Sequence, residues 1–156
     1  MLVNSYRRLV HAQAGTIWKV LLDSVENPQH YLHGVGAVQI LERLPAEVVR
    51  EMTWEGKTVR ERITLDADHG EMKSELLEHP LYTGHTVTHL VPTAVQSPVA
   101  PVYVETLVNL ERKSLHLAQL VRTEDELVAD MEEELQAVKM KAEELEKEDA
   151  VKGSRA

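Results

Sequence analysis

The chain has no cysteine and no phenylalanine. Without cysteine there are no disulfides, no thiolate metal sites and no cysteine nucleophile, a composition that fits a reducing cytoplasm. Without phenylalanine the aromatic residues are Trp18, Trp54, Tyr6, Tyr31, Tyr82 and Tyr103, so any core or pocket has to be lined mainly by Val, Leu, Ile and Met. The opening MLVNSYRRLVHAQ lacks an uninterrupted apolar run, so neither a signal peptide nor membrane insertion is expected. Basic residues are the minority, 17 Lys and Arg against 26 Asp and Glu for a formal charge of −9. That balance opposes phosphate backbones, and no nucleic-acid partner is expected. Much of the acidity lies beyond Thr123, which leaves the rest of the chain closer to neutral.

Several chemical signatures are also missing. HGVG at 33–36 lacks the preceding strand and the spacing of a dinucleotide fingerprint. There is no G-x-S-x-G elbow and no H-E-x-x-H helix, so nucleotide cofactors, serine hydrolysis and zinc proteolysis are unsupported and no cofactor is expected. At 156 residues the chain suits one domain, read as 1–150 with a disordered tail at 151–156, large enough to bury its own core.

The segment from Glu47 to Leu65, EVVREMTWEGKTVRERITL, carries the most information. With Glu55-Gly56 as a two-residue turn, the strands pair Trp54 with Lys57, Met52 with Val59, Arg50 with Glu61 and Val48 with Ile63. That face is largely apolar. The other face collects Val49, Glu51, Thr53, Thr58, Arg60 and Arg62 and is expected to be wet. Arg50 and Glu61 thus oppose each other on the dry side, a costly arrangement in a solid core and a reasonable one in a lined cavity. Two readings stay open for the pair. One is a ligand-holding or catalytic pair, with the guanidinium on a ligand carbonyl or carboxylate and the glutamate as base; the other is a structural cross-strand pair.

Around this hairpin the order of elements is regular. LVNSYRRLVH reads as a strand, AGTIWKVLLDSVENP as a helix with Ile17, Trp18, Val20 and Leu21 on its apolar stripe, and Gln29 to Leu32 as a short second helix. Six strands follow up to about Arg112, with VPTAVQSPVAP as a rigid loop between the last two. Thr123 to Glu126 reads as a capping box that opens a long helix from Glu124 to Glu148, its apolar face made by Leu127, Met131, Leu135, Val138, Ala142 and Leu145.

Eight histidines raise the question of a metal. His85 and His89 share one strand face, with Val87 between them, and are expected to point inward. Four residues along a strand separate them by about 13 Å, too far for two nitrogens on one ion, so no metal is expected. A pocket histidine acting as proton donor fits better.

This order of elements resembles the helix-grip fold of the START and birch-pollen-allergen (SRPBCC) superfamily. TIWKVLLDSVENPQHYLHGVGAVQILER resembles its first helices and second strand. REMTWEGKTVRERITL with EHPLYTG resembles the AtaL-like, polyketide-cyclase-like bacterial branch. The resemblance implies an α+β fold in which a curved seven-stranded antiparallel sheet wraps around the long C-terminal helix, enclosing a cavity for a small hydrophobic or amphipathic molecule. The expected ligand-binding set is Val48, Arg50, Met52, Trp54, Val59, Glu61, Ile63, His85, His89, Met131 and Leu135.

Three functions follow as expectations, all for a cytoplasmic protein of unassigned oligomeric state. The first is binding of a small hydrophobic molecule. The second is a cofactor-independent cyclase, aldolase or dehydratase with Glu61 and Arg50 as catalytic residues, and the third is an interaction module using the acidic helix.

Overall fold

The structure, a computed structural model, describes residues 2–93, 101–113 and 117–154, with side chains except at 117–123 and 152–154. Seven strands, β1 (Leu2–Val10), β2 (Val35–Leu44), β3 (Glu47–Trp54), β4 (Lys57–Asp66), β5 (Glu71–Glu78), β6 (Tyr82–Pro92) and β7 (Val102–Arg112), form one sheet in the order β1-β7-β6-β5-β4-β3-β2. Every pairing is antiparallel. The helix α1 (Ala14–Glu26) and a 3-10 turn (Pro28–His30) connect β1 to β2, and the helix α2 (Leu117–Ser154) ends the chain. This is the expected helix-grip fold.

The β3–β4 hairpin has the expected register, including Arg50 opposite Glu61. Glu55 and Gly56 turn the chain with φ of +49° and +77°, the left-handed pair that a two-residue hairpin loop requires. Glu51 pairs with Arg60, and Glu47 with Arg62, on the outer face. Val49 is an exception: it shares that outer parity yet is buried. It pairs with Glu42, next to a register shift between Ile40 and Glu42 in β2, where the strand is distorted.

The apolar stripe of α2 buries Leu135, Val138 and Ala142 against Val10, Ile17, Val20, Leu21 and Val104. Leu127 and Met131, farther up the helix, pack near Tyr82, Val108 and Leu110. Glu146 of α2 accepts from the backbone N–H of Gln13 at 2.6 Å. That bond places a carboxylate at the start of α1, where the side chain of Gln13 makes no cap and the helix dipole favours negative charge.

Two boundaries differ from expectation. α2 begins at Leu117, so Thr123 to Glu126 lie inside the helix and do not cap it. No glycine or proline stands between Arg112 and Thr123, and LAQLV offers good helix formers that extend the helix backward. The helix also continues through Ser154, four residues into the stretch read as a tail; residues 155–156 lie outside the described residues. The second short helix is a single 3-10 turn. The loop expected between the last two strands falls mostly on 94–100, outside the described residues, while Val91 and Pro92 belong to β6. Among the described residues no helix is long and apolar enough to cross a membrane.

Candidate functional site

A cavity of about 150 Å³ lies between α2, α1 and the concave face of the sheet. Its walls are mainly aliphatic, as expected of a chain without phenylalanine. Of the expected set, Arg50, Met52, Trp54, Val59, Glu61, Ile63, Met131 and Leu135 line it. Val48 does not: it packs with Val25 and Ile63 beside the cavity.

His85 and His89 require correction. Counting in twos from the buried Tyr82, the inward positions of β6 are 84, 86, 88 and 90. Thr86 and Thr88 accordingly line the cavity, whereas neither histidine does. His89 bonds Glu105 at 2.8 Å on the other face, where Glu105 also holds Arg7 at 2.7 Å. The valines flanking the histidines suggested the wrong parity because threonine reads as polar. In the interior, Thr88 and Thr106 satisfy each other at 2.9 Å, which makes their burial affordable.

Arg50 is held from three sides. One terminal nitrogen donates to the carbonyls of Ser24 and Val25 at 3.2 and 3.0 Å, and the other to Glu61 Oε1 at 2.6 Å. The carbonyls come from the last turn of α1, whose negative end suits a guanidinium. The second oxygen of Glu61 accepts from the Ser74 hydroxyl. Burial would push the Glu61 carboxyl up, but the Arg50 charge and the bonds from Ser74 and Arg50 together hold it below its usual range. With both oxygens occupied and its anion favoured, Glu61 is a fixed counter-ion and a poor proton acceptor. This bonding does not favour the role of base expected of it.

Glu134 presents a second carboxyl to the cavity. It lines the cavity from α2 and makes no hydrogen bond or ion pair among the described residues. Part of the residue stays accessible, yet its carboxyl is removed from bulk water. Burial pushes it up to about 7, against the pull of Arg50 and with the help of Glu61, Asp130 and Glu133. The sequence carries a signal for it: in the triplet Glu132-Glu133-Glu134 the third member falls three residues after Met131, on the apolar stripe. A carboxyl so raised makes the fold lose stability as pH rises from about 4.5 to about 7, because the unfolded chain releases the proton more readily. Glu134→Gln is therefore expected to be more stable than the parent by on the order of 2 kcal/mol at pH 8 and nearly equal to it at pH 4.5, measured by urea unfolding across that range.

His79, also in the lining, accepts the backbone N–H groups of Leu81 and Tyr82 at its Nδ1, both at 3.1 Å. A ring nitrogen that accepts cannot carry the proton, so Nε2 bears it and the imidazole is neutral. Burial lowers its pKa to about 4, with Glu61 opposing. The ring stands between Trp54 and Tyr82, at centroid distances of 5.9 and 5.6 Å. A raised acid and a depressed imidazole in one cavity divide acid and base properties between two groups.

At the rim, His33 meets the β3–β4 turn and α2. Its Nδ1 lies 2.5 Å from Glu133, and its Nε2 lies 3.9 Å from both Glu55 and Asp130. His33, Asp130 and Glu133 each bring one ligand-type atom to within 4.8 Å of the others. The imidazole is exposed, and chiefly its bond to Glu133 pushes its pKa up, which favours the charged form beside these carboxylates.

Residues 3–147 match the family model AtaL, acetylaranotin biosynthesis cluster protein L. The chain belongs to the AtaL family. Solved structures agree on its fold. This AtaL-family chain superposes with a TM-score of 0.73 on the di-domain ARO/CYC StfQ of the steffimycin biosynthetic pathway, at 18% identity over 91% of this chain and 50% of that one. The Zhui aromatase/cyclase from Streptomyces sp. R1128 gives 0.67 at 19% identity, over 91% and 93% of the two chains. A START superfamily protein from Mycobacterium smegmatis gives 0.65 at 16% identity, over 92% and 98%. No curated protein matches the chain.

Proposed function

We propose that this AtaL-family chain binds a small, mainly apolar molecule with at least one polar group in the cavity between sheet and helix. The observation that carries the reading is the buried Arg50–Glu61 pair among the Met, Val, Ile and Leu side chains of an interior that is not packed shut. An ionic pair is a costly way to fill a core, and a purely apolar guest would make no use of it. A void on the order of 150 Å³ is of the size that takes up a single-ring guest. Native mass spectrometry and organic extraction of freshly purified protein are expected to show a retained small molecule. A chain that never retains one, whatever the expression host, argues against the reading.

A second reading, a cofactor-independent enzyme of the cyclase, aldolase or dehydratase type, is favoured by Glu134. In this reading the ionised Glu134 takes a proton from carbon next to a substrate carbonyl, and the resulting acid returns it to a departing hydroxyl, which leaves as water. The neutral His79 Nε2–H supports the oxygen on which negative charge develops. Arg50 and Glu61 keep the wall polar without exchanging protons. Relatives of the same fold are described as aromatase/cyclases, which is the company such an enzyme would keep. With a β-hydroxy ketone as substrate, the pH profile of dehydration should break near 7 and lose that break in Glu134→Gln. An unchanged profile in the variant contradicts the assignment.

A further inference from the structure

Asp130 and Glu134 stand four residues apart on α2, and both line the cavity. Side chains at that spacing share one helix face with Cβ atoms about 5–6 Å apart, and like charges there repel. Other carboxylates of this chain are paired: Glu26 with Arg43, Glu61 with Arg50, Glu105 with Arg7 and Glu143 with Lys139. Asp130 and Glu134 are different. Neither makes a hydrogen bond among the described residues, and the basic atom nearest Asp130 is the exposed His33 Nε2 at 3.9 Å.

Among the described residues the lining offers them no cation. Its basic side chain is Arg50, whose terminal nitrogens are already given to Glu61 and two carbonyls. The other charged or titratable groups around the two carboxyls are Glu61 from β4, Glu55 from the β3–β4 turn, His33 from the turn before β2, and Glu126 and Glu133 from α2 itself. The balance is acidic. An independent observation shows that the lining has unmet polar atoms: the Tyr82 hydroxyl, on a residue 1% exposed, has no partner among the described residues, and neither do Arg50 Nε and Trp54 Nε1. Arg50 Nε and Trp54 Nε1 supply the lining with donors, whereas Asp130 and Glu134 supply it with acceptors. An ammonium group, with three donors and no acceptor, is their chemical complement.

We propose that the cavity takes a small apolar molecule bearing a protonated amine, with the ammonium between Asp130 and Glu134 and the apolar body against Met52, Val59 and Leu135. The inference rests on the ligand-binding reading and adds the charge of the guest. A carboxylate guest is disfavoured, since it would meet three acids and a guanidinium already neutralised. Binding of the amine also converts Glu134 to its ionised form, so a proton is released near neutral pH.

Three isosteric probes test this on the full chain: 2-phenylethylamine, 2-phenylethanol and phenylacetate, titrated calorimetrically at pH 6.5 in two buffers of different ionisation enthalpy. The amine is expected to bind at least tenfold more tightly than the alcohol, with proton release, and phenylacetate more weakly than either. In Glu134→Gln and Asp130→Asn, each checked for an intact fold by circular dichroism and urea unfolding, the preference of amine over alcohol should shrink; proton release should vanish in Glu134→Gln. Alcohol or acid binding as tightly as the amine overturns the inference and leaves the ligand-binding reading standing. Failure of all three probes to bind overturns the inference, and only the further absence of any retained molecule counts against ligand binding itself.

Discussion

Arg50→Met is expected to lower stability by about 3–5 kcal/mol, read from urea unfolding at pH 7. Methionine keeps much of the length and apolar stem, so the loss reports the charge and not a hole in the wall. Arg50 and Glu61 expose only 8% and 12% of their side chains and meet at 2.6 Å. Removing the guanidinium leaves Glu61 with a single hydroxyl bond from Ser74, and it strands the Ser24 and Val25 carbonyls at the end of α1. Glu61→Gln should cost less, because the amide oxygen can still accept from Arg50. The double replacement Arg50→Met with Glu61→Leu should recover much of the loss, since well-packed apolar residues often replace a buried ion pair without penalty. A single Arg50→Met variant within about 0.5 kcal/mol of the parent would place the pair in water instead of in the interior.

Gly84→Ala is expected to be comparably severe, above about 3 kcal/mol, with a matching drop in thermal midpoint. Gly84 sits within β6 at φ +121°, and an added Cβ would lie 2.2 Å from the carbonyl oxygen of Asn109 and 3.1 Å from the Cα of Leu110. Both atoms are backbone of the neighbouring strand, so no side-chain rotation can relieve the contact; β6 and β7 would have to part. That seam pairs Gly84 with Leu110 and Tyr82 with Arg112, next to two lining residues of the cavity. Gly56→Ala, at φ +77° with open space around it, should cost only the left-handed backbone penalty of about 1–2 kcal/mol. The contrast between the two glycines separates steric closeness from backbone strain.

Much of this was legible before the structure. Period-two alternation with a two-residue turn fixes which residues face each other, so the hairpin register and the Arg50–Glu61 pair follow from local chemistry. The apolar recurrence from Leu127 to Leu145 likewise marks the buried stripe of α2. What could not be read is long-range. The parity of β6 depends on which neighbour covers each face, and Thr86 and Thr88 are tolerated inside because Thr106 arrives from β7 to bond one of them. The start of α2 is ambiguous in the sequence because a local capping pattern at Thr123 competes with a helical continuation that carries no stop signal. Glu134 is hard to see in the sequence because a third glutamate in a row reads as solvated surface. Its place three residues after Met131 puts it on the apolar stripe, and the packing of α2 over the sheet turns that stripe toward the cavity.

The cavity sets two glutamates apart, one locked as an anion on the sheet and one holding its proton on the helix. Carbon-detected NMR titration of the carboxyl resonances of Glu61 and Glu134 in the full chain measures this directly. The predicted result is a Glu134 midpoint near 7 with Glu61 titrating below its usual range. Two midpoints together near the ordinary glutamate value of about 4.3 would mean that both side chains stand in water, and that the sheet and helix enclose no such chamber.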